Sequence, residues 1–463
     1  MCVSLLKRRG EFMDFINDFF DQLSSLLWGP FTLIFIIGVG IYFTVATGFF
    51  QIFHFKDILK NTIGSLTSSK NDGGKGISPF QAVSTALAGS LGTGNIIGVA
   101  TAIAAGGPGA VFWMWVSAFF GMMTKYSEIV LCIKYRKSDE NGFYGGPMYT
   151  MEQGLGWKPM GKLFAAVCIF ASFGMGSTVQ TNATAVALER GFGFPQLVTS
   201  IVITVVCAVV IIGGIKRLSA VASKIVPFMS ILYVLVSVFV LVKNCFVIPE
   251  AFRLIVESAF NLRATVSGGA GYAIMVAMRY GVARGVFANE AGMGTSPIAH
   301  AASNATSPVK QGQWGVFEVF FNTIVMCTMT ALVIIVTGAF ESFSDGGEMT
   351  MRAFSSQIGS GANFVIALCT ALFGFTTIMS WSYYGEQAIK YMFGKKIILP
   401  YQIIYIISIC FGGVCAMDLV WKLSDISNIM MVFPNLVSLV LLSPQVIRMT
   451  KEYKSEMRRK KSE

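Results

Sequence analysis

The chain has 463 residues, of which 54% are hydrophobic and only 13% are charged. Soluble globular proteins carry about 25% charged residues, so this composition excludes a soluble protein and predicts an integral membrane protein with several spans. The 35 Lys and Arg residues outnumber the 24 Asp and Glu residues, which gives a net charge of +11. A basic excess can indicate nucleic-acid binding. Here the charges lie in short connections between apolar runs, as the positive-inside rule describes, so we expect a lipid bilayer and no nucleic acid as partner.

The N-terminal part of the chain, residues 1–55, is predicted to hold an amphipathic segment and the first span. Residues 11–27 are amphipathic, because apolar residues recur there at the spacing of one helix face. These residues are Phe12, Phe15, Ile16 and Phe19. The segment can lie at the membrane interface, and a signal peptide is the alternative that its acidic residues disfavour. Met1 and Met13 are both possible starts of translation.

Apolar runs of about 20 residues are long enough to cross a bilayer, and their number predicts about eleven transmembrane helices. The runs are 29–53, 79–105, 108–133, 163–188, 196–215, 225–244, 264–289, 312–340, 361–389, 398–417 and 426–448. No hydrophilic stretch is long enough for a separate domain. We therefore predict an all-α integral membrane fold in one domain, residues 1–463, with a core at 76–448 and a basic tail at 449–463.

Lys and Arg cluster in every second connection, which sets the predicted orientation. The basic clusters after the odd-numbered spans and in the tail include Lys56, Lys60, Lys134, Arg136, Lys216, Arg217, Lys310, Lys390, Lys395, Lys454 and Arg458. The connection at 341–348 is acidic by contrast. This pattern predicts a multi-pass protein of the cell membrane with its N-terminus outside and its C-terminus in the cytoplasm. The basic residues before Met13 argue against this orientation unless translation begins there.

The residue types that support enzymatic chemistry are scarce. The nine cysteines form no CxxC pair, and there are only two histidines, His54 and His300. Isolated cysteines in apolar runs are most simply small buried hydrophobic residues. No HExxH motif, Ser-Lys pair or acidic cluster appears at the depth of a span. We therefore predict that the protein is not an enzyme and binds no cofactor.

The second apolar run is interrupted by glycine and polar residues. Its sequence from Ala88 to Asn95 is AGSLGTGN, within a stretch from Gly76 to Thr124 that has no charged residue. In lipid, each backbone group freed by a helix break costs several kcal/mol unless another group binds it. Close packing of helices through small residues is the alternative, but it does not need a continuous polar turn. We therefore predict a broken helix that faces a cavity.

A transporter built from inverted repeats carries a second broken helix in its other half. The segment Ser267–Gly271, with Gly268 and Gly269, begins the seventh span, five spans after the first break. We place the second break there, with a flexible helix entry as the alternative. The following segment, Asn289–His300, is not lipid-like and is interpreted as a structured cytoplasmic connection.

Polar residues also interrupt the fourth and ninth spans. Gln180 in the fourth span carries a primary amide that wants several hydrogen-bond partners, from neighbouring helices or from a substrate. In the ninth span Phe373, Thr377 and Trp381 recur every four residues on one face, with Thr376 adjacent. The two threonine hydroxyls are either cation ligands or back-bond to their own helix.

Three glutamates lie within or at the ends of the predicted spans. We interpret Glu128 with Lys125, and Glu386 with Lys390, as structural ion pairs or gates at cytoplasmic helix ends, because each pair is close in sequence. A proton relay is the less favoured alternative for both pairs. Glu318 in the eighth span has no partner nearby in the sequence, and its role stays open.

Four blocks of the chain resemble the alanine or glycine:cation symporter family. They are Gly285–His300, Gly89–Asn95, Tyr144–Tyr149 and Thr377–Glu386. The resemblance extends over nearly the whole chain from the first span. It implies a fold similar to the leucine transporter, in which one additional helix precedes two inverted five-helix repeats with broken helices. It also implies sodium-coupled uptake of a small neutral amino acid, alanine or glycine, by alternating access.

The resemblance also implies the binding residues. The turn at Thr93, Gly94 and Asn95 resembles the turn that receives a substrate carboxylate on exposed amides. The residues that match the wall of the family's pocket or limit the substrate side chain are Gln180, Thr377, Trp381, Gly268 and Gly269. Sodium, the coupling ion, would resemble an ion held by the carbonyl groups of Ala88, Leu91 and Phe373 and the hydroxyl groups of Thr376 and Thr377.

Other functions stay open at this point. Glutamine or serine can be the substrate instead of alanine. A proton-coupled transporter of the same fold is a second alternative, although such relatives place a lysine at the ion site and the sixth span, residues 225–242, has none. An ion channel is less consistent, because neither a selectivity-filter sequence nor a ring of acidic residues is visible.

Overall fold

The computed structural model describes residues 18–20, 22–65, 76–140, 142–260, 270–343, 345–413 and 417–462. This part of the chain is helical apart from turns and a short antiparallel hairpin of β1 (Lys137–Asp139) and β2 (Gly142–Tyr144). The predicted all-α fold is confirmed. Residues 11–17 and 21 of the predicted amphipathic segment lie outside the described residues, and so do both candidate starting methionines.

The helices form a short N-terminal group followed by two sets that each begin with an interrupted helix. The N-terminal helices are α1 (Pro30–Ala46), α2 (Phe50–Phe53) and α3 (Phe55–Asn61). The first set comprises α4 (Pro79–Ser90), α5 (Ile97–Gly106), α6 (Gly109–Lys134), α7 (Pro147–Leu155), α8 (Lys158–Ala171), α9 (Val179–Phe192), α10 (Gln196–Ile211), α11 (Gly214–Lys243) and the connecting α12 (Ile248–Ala259). The second set comprises α13 (Ala270–Asn289), α14 (Ser296–Ala301), α15 (Pro308–Val319), α16 (Thr328–Val336), α17 (Gly346–Ile358), α18 (Gly361–Phe393), α19 (Ile398–Gly412) and α20 (Met417–Ser462).

Within the described residues, eight helices are long and apolar enough to cross a membrane. The other predicted spans coincide with α10, which has only 16 residues, and with the two interrupted helices, whose separate pieces are short or carry arginine. A broken helix crosses the bilayer with its two halves together, so neither half alone has to be long and apolar enough to span it.

The outer helices expose large apolar side chains that suit a lipid environment. Such residues include Val202, Val205 and Val209 on α10, Ile231, Leu235 and Phe239 on α11, and Ile403, Ile404 and Ile407 on α19. Lipid tails replace water as the solvent for these side chains, so their exposure carries no penalty in a bilayer. Polar side chains are concentrated inside the bundle instead, around α4, α14 and α18.

The helix α4 begins with a strong local signal. The Ser78 hydroxyl oxygen accepts a hydrogen bond from the Gln81 backbone amide, and the Gln81 side-chain oxygen accepts one from the Ser78 backbone amide. Pro79 occupies the first turn. This capping box satisfies two backbone groups that a helix start leaves unpaired. From there α4 runs into the centre of the bundle, where it packs against α11, α14 and α18. Its last three turns are therefore completely surrounded by protein.

Candidate functional site

The first break lies where the glycine pattern predicts it. Helix α4 ends at Ser90, the next two residues leave helical geometry, and a 3₁₀ turn covers Thr93–Asn95 before α5 begins. Every residue from Ser90 to Ile96 is buried. The interruption therefore lies inside the protein, where its free backbone groups need partners from other helices.

Gln180 supplies one of these partners. Its side-chain oxygen accepts hydrogen bonds from the Thr93 amide at 3.2 Å and from the Thr93 hydroxyl at 3.0 Å. Its side-chain nitrogen donates to the carbonyl of Met175 at 3.1 Å, in the wide π-helical turn Ser172–Thr178 that joins α8 to α9. The Gln180 side-chain oxygen therefore already binds the Thr93 amide, which the family resemblance assigns to a substrate carboxylate. Thr93 and Gln180 come together as the resemblance implies.

Four of the five residues of the predicted sodium site are joined by hydrogen bonds between their oxygen atoms. The Thr377 hydroxyl lies 3.1 Å from the carbonyl oxygen of Ala88 and 2.9 Å from that of Phe373. The Thr376 hydroxyl lies 3.0 Å from the same Phe373 oxygen. Both threonines therefore back-bond to their own helix, and Thr377 additionally bridges to the end of α4. Leu91 is buried in the same turn. Carbonyl and hydroxyl oxygens are the ligands that hard cations prefer, so this donor set fits sodium.

Glycine is required at two positions around this turn. A methyl group added at Gly92 would lie 2.8 Å from the Thr377 hydroxyl, and one at Gly94 would lie 2.9 Å from the ring of Phe287. Both distances are shorter than side-chain contacts normally allow. The two glycines therefore let α18 and α13 approach the backbone of the break closely.

Asn95 contacts the second half of the protein. Its side-chain nitrogen donates to the side-chain oxygen of Asn322 at 2.9 Å, and its carbonyl oxygen accepts from Thr330 at 2.8 Å. Asn322 lies in a second π-helical turn, Phe320–Cys327, and donates to the Ala288 carbonyl at the end of α13. The predicted substrate residue Asn95 thus also links the two interrupted helices. Sequence reasoning missed Asn322, although an asparagine inside the apolar eighth span was a visible signal.

The second break lies elsewhere than predicted. Gly268 and Gly269 are outside the described residues, and Gly271 is part of the continuous helix α13. The chain instead leaves the helix between α13 and α14, at Glu290–Thr295, where Glu290, Gly292 and Gly294 have positive φ angles of 55°, 92° and 79°. The segment Asn289–His300, which the sequence analysis interprets as a cytoplasmic connection, is buried in the bundle at every residue and contains this second break. Polar sequence is tolerated at this depth because neighbouring helices bind its backbone.

Trp381 reaches this second break from α18. Its indole nitrogen donates to Glu290 at 3.0 Å, and the Thr295 hydroxyl donates to the other Glu290 oxygen at 2.7 Å. The indole ring is fully buried between Gly176 and the ring of Tyr384. Trp381 and Thr377, one turn apart on α18, thus contact the two breaks separately. Sequence reasoning did not identify Glu290 as part of the site.

The predicted ion pairs are rearranged. Lys125 lies 3.3 Å from Glu318, not from its sequence neighbour Glu128, and Lys390 lies 2.8 Å from Asp139. Glu386 instead accepts a hydrogen bond from Gln402. Proximity in the sequence favoured pairs on one helix, whereas buried charges choose the partner that neighbouring helices bring closest.

A narrow cavity of about 80 Å³ leads from the first break to one end of the bundle. Its walls include Ile96, Ala183 and Thr370, and its mouth lies at Arg190 and Asp345, which form an ion pair of 3.1 Å between α9 and the start of α17. The cavity joins the two halves of the fold.

The family model described as the sodium:alanine symporter family matches residues 13–463. The chain belongs to this family. It is 42% identical over 450 residues to the sodium/alanine symporter AgcS of Methanococcus maripaludis, covering 95% of this chain and 98% of that relative. It is 39% identical over 434 residues to the probable sodium/glutamine symporter GlnT of Bacillus subtilis, covering 93% and 89% of the two chains.

Among solved structures, this sodium:alanine symporter family member is similar to MhsT in complex with L-phenylalanine. The TM-score is 0.56 at 10% sequence identity, and the match covers 80% of this chain and 89% of MhsT. The similarity shows the fold, which is the leucine-transporter fold with two five-helix repeats and broken helices. The protein is therefore a multi-pass membrane symporter that couples amino-acid transport to a cation, and it is not an enzyme.

Proposed function

We propose that this symporter imports a small neutral amino acid, alanine or glycine, together with sodium by alternating access. The observation that carries the proposal is the convergence at the first break. The Thr93 amide already holds the Gln180 oxygen, and the Thr377 hydroxyl joins the Ala88 carbonyl to α18. One glycine-rich turn thus offers donors for a carboxylate beside acceptors for a cation.

The carboxylate of the amino acid binds at the backbone amides of Thr93 and Gly94, beside Asn95 in the same turn. Gln180 moves its oxygen away from the Thr93 amide when a carboxylate takes that place, because a charged acceptor makes a stronger hydrogen bond than an amide does. The side-chain NH2 group of Gln180 then donates a hydrogen bond to the same carboxylate. Thr377 and Trp381 complete the wall on the side of α18.

Sodium binds among the Ala88, Leu91 and Phe373 carbonyl groups and the Thr376 and Thr377 hydroxyl groups. Without an ion the two hydroxyls donate to the carbonyl groups. With sodium present each hydroxyl rotates, so that its oxygen faces the cation together with the carbonyl oxygens. This exchange ties α4 to α18. Sodium entry down its gradient supplies the driving force, including about 2.3 kcal/mol per charge for each 100 mV of membrane potential.

During alternating access the helices bend at the two breaks. The ion pair between Arg190 and Asp345 lies at the mouth of the cavity that leads to the first break. We assign this mouth to the external face, because the predicted orientation places the N-terminus outside and the basic tail in the cytoplasm. Opening this mouth admits sodium and substrate, and movement of α4 and α14 releases them on the opposite side.

The residue type on α11 next to Thr376, a methionine and not a lysine, argues against proton coupling in place of sodium. The thioether sulfur of Met229 lies 3.6 Å from the Thr376 hydroxyl. A lysine at this site would replace the cation, whereas a methionine leaves the oxygen ligands free for sodium. Glutamine or serine as the substrate is the second candidate, which the similarity to a probable sodium/glutamine symporter favours.

The proposal is tested by uptake into proteoliposomes that contain the purified protein. Radiolabelled alanine, glycine, serine and glutamine are supplied separately, with an inward sodium gradient or with potassium replacing sodium at the same pH. We expect sodium-dependent accumulation of alanine or glycine. Uptake of glutamine and of no other amino acid would show that glutamine is the substrate and not alanine or glycine. Equal uptake with and without sodium would contradict the proposed coupling.

Replacing Trp381 with phenylalanine is expected to widen the range of substrates. The change removes the hydrogen bond to Glu290 and part of a fully buried ring that we propose as the wall against the substrate side chain. In competition assays, serine and larger neutral amino acids should inhibit alanine uptake more strongly in this variant than in the wild type. One additional methylene in a hydrophobic pocket changes discrimination by about 10–200-fold.

The matched control for this variant is Trp113→Phe. Trp113 lies on α6, where its indole nitrogen donates to the Ala259 carbonyl, away from both breaks. This control should keep the wild-type order of competing amino acids. An unchanged order in Trp381→Phe itself would remove Trp381 from the wall of the pocket.

A further inference from the structure

The second break is surrounded by buried charges that the proposed handling of substrate and sodium does not use. Glu290 begins the break, Glu128 reaches it from α6, and Glu318 reaches it from α15, while Lys125 on α6 is the ammonium group among them. All four side chains are fully or almost fully buried. An uncompensated buried charge costs several kcal/mol, so this cluster must balance its three carboxyl groups against one ammonium group.

Lys125 forms an ion pair with Glu318. Its ammonium nitrogen lies 3.3 Å from one Glu318 oxygen. The Ser296 hydroxyl lies 2.9 Å and 2.8 Å from the two Glu318 oxygens, and the Ser90 hydroxyl lies 3.3 Å from one of them. A carboxylate with an ammonium partner and several donors is stable in its ionised form. Glu318 and Lys125 therefore form a neutral pair.

His300 adds no positive charge to the cluster. Its Nδ1 atom lies 2.8 Å from the side-chain nitrogen of Gln311, which is a donor, so Nδ1 is the acceptor. The Ser303 hydroxyl donates to the side-chain oxygen of Gln311 and so sets the orientation of that amide. The proton of the imidazole is then on Nε2, which donates to Glu318 at 3.2 Å. His300 is a neutral ring.

Glu290 and Glu128 remain without a cation. Both Glu290 oxygens accept hydrogen bonds from neutral donors, Trp381 and Thr295. Glu128 differs, because only its Oε1 atom has donors, the Gly294 amide at 3.1 Å and the Asn435 side chain. Its Oε2 atom is the single carboxylate oxygen among the buried side-chain atoms without a hydrogen-bond partner in the described part of the chain.

The surroundings of Glu128 contain several acids and two cations, of which Arg284 is paired with Asp425. Lys125 and Glu318 are the charges that act on it directly. The titratable and charged groups on the elements around it include Lys125 and Cys132 on α6, Glu290 at the break, His300 on α14, Glu318 on α15, Tyr383 and Tyr384 on α18, and the Arg284–Asp425 pair between α13 and α20. With Lys125 neutralised by Glu318, an ionised Glu128 would be a second unpaired negative charge beside Glu290.

We propose that Glu128 is a proton-binding site that is linked to transport. Glu128 carries a proton while Gly294 and Asn435 close over it, and this proton balances part of the buried charge. When the second break moves during transport and water reaches the carboxyl group, the O–H bond breaks and the proton passes to that water. The link between this proton and transport rests on the proposed symport, whereas the bound proton itself does not.

A proton suits this site better than a metal cation does. The donors on Oε1 are both N–H groups, which repel a cation, and Lys125 lies one turn away on the same helix face. A proton removes the charge of Glu128 without adding an ion that Lys125 would oppose. A buried carboxyl group that lacks a cation becomes neutral in this way.

The first test is the infrared spectrum of the full-length protein in lipid nanodiscs without substrate. The wild type minus the Glu128→Gln variant should show the C=O stretch of a protonated carboxyl group, which shifts in deuterium oxide. If Glu128→Gln does not fold, Asn435→Ala keeps the carboxyl group and removes one donor, so the same band should shift in frequency. A difference spectrum with carboxylate bands only, or an unshifted band in Asn435→Ala, would overturn the proposal.

The second test is the pH dependence of sodium-driven alanine uptake in proteoliposomes. Proton binding is favoured in the closed form, so rising pH removes the proton and should lower uptake in the wild type. Glu128→Gln is neutral at every pH, so its residual uptake should lose this decline. The same decline in the variant would contradict the link to transport. Absence of alanine uptake in the wild type would instead contradict the proposed substrate, and the infrared result would be unaffected.

The matched control for both measurements is Glu152→Gln. Glu152 lies on α7 with a partly exposed side chain near Lys158, outside both breaks. We expect the wild-type infrared band and the wild-type pH profile in this variant. A change of the band in Glu152→Gln equal to that in Glu128→Gln would show that the band does not belong to Glu128.

Discussion

Replacing Glu318 with glutamine is expected to lower the free energy of unfolding by about 3–5 kcal/mol and to abolish uptake. Glutamine keeps the volume and one acceptor for Ser296 and His300, but it leaves the ammonium group of Lys125 buried without a counter-charge. Breaking one side of a buried ion pair is costly for this reason. A thermal-shift measurement in detergent should show a lower unfolding temperature than in the wild type.

The double variant Lys125→Met with Glu318→Gln distinguishes the effect of the unpaired lysine charge from the effect of the altered side-chain shape. Replacement of a whole buried ion pair by neutral groups is often nearly neutral for stability. We therefore expect the double variant to recover most of the lost unfolding temperature. An equally unstable double variant would show that the Glu318 charge is needed for the hydrogen bonds to Ser90 and Ser296.

Glu318 is placed to affect transport as well as stability. Ser90 is the last residue of α4, and Ser296 is the first residue of α14. One carboxyl group thus holds an end of each interrupted helix. A double variant with normal stability and no uptake would indicate that this connection coordinates the two helices.

Replacing Thr377 with alanine is expected to raise the sodium concentration for half-maximal uptake about tenfold or more, which corresponds to about 1.4 kcal/mol or more. The change removes the hydroxyl that lies 3.1 Å from the Ala88 carbonyl and 2.9 Å from the Phe373 carbonyl. We propose this hydroxyl as a sodium ligand. The measurement is the initial rate of amino-acid uptake as a function of sodium concentration at constant ionic strength.

Ser382→Ala is the control for this prediction. Ser382 is buried on the same helix, and its hydroxyl donates to the Met379 carbonyl of α18 and not to another helix. Removing this hydroxyl should leave the sodium dependence unchanged. A wild-type sodium dependence in Thr377→Ala would exclude Thr377 from the ion site, whereas equal losses in both variants would indicate a general effect on α18.

The interrupted helices are connected by polar side chains at three levels. Asn95 and Asn322 join the first break to the end of α13, and Glu318 joins Ser90 to Ser296. Trp381 is the third connection, from the face of α18 that carries Thr377 to Glu290 at the second break. These hydrogen bonds connect the two breaks and give partners to polar atoms that are buried, which is a requirement in lipid.

The sequence by itself determined the membrane class, the first break and the polar face of α18. Gly92, Gly94 and the uncharged stretch around them predict an interruption, because backbone without helical hydrogen bonds is costly in lipid. Thr377 and Trp381 share a face through the helical period alone, and this periodicity needs no tertiary information. These features are local, so their signal is complete within one segment.

Only the tertiary structure decided the second break and the pairing of the buried charges. The segment at Glu290–Thr295 looks like a water-exposed turn in the sequence, because its stability depends on groups far away in the chain. Its Gly294 amide is bound by Glu128, 166 residues away, and Lys125 pairs with Glu318, 193 residues away. Burial of polar groups depends on which partners other helices bring within hydrogen-bond distance, and local sequence does not contain those distances.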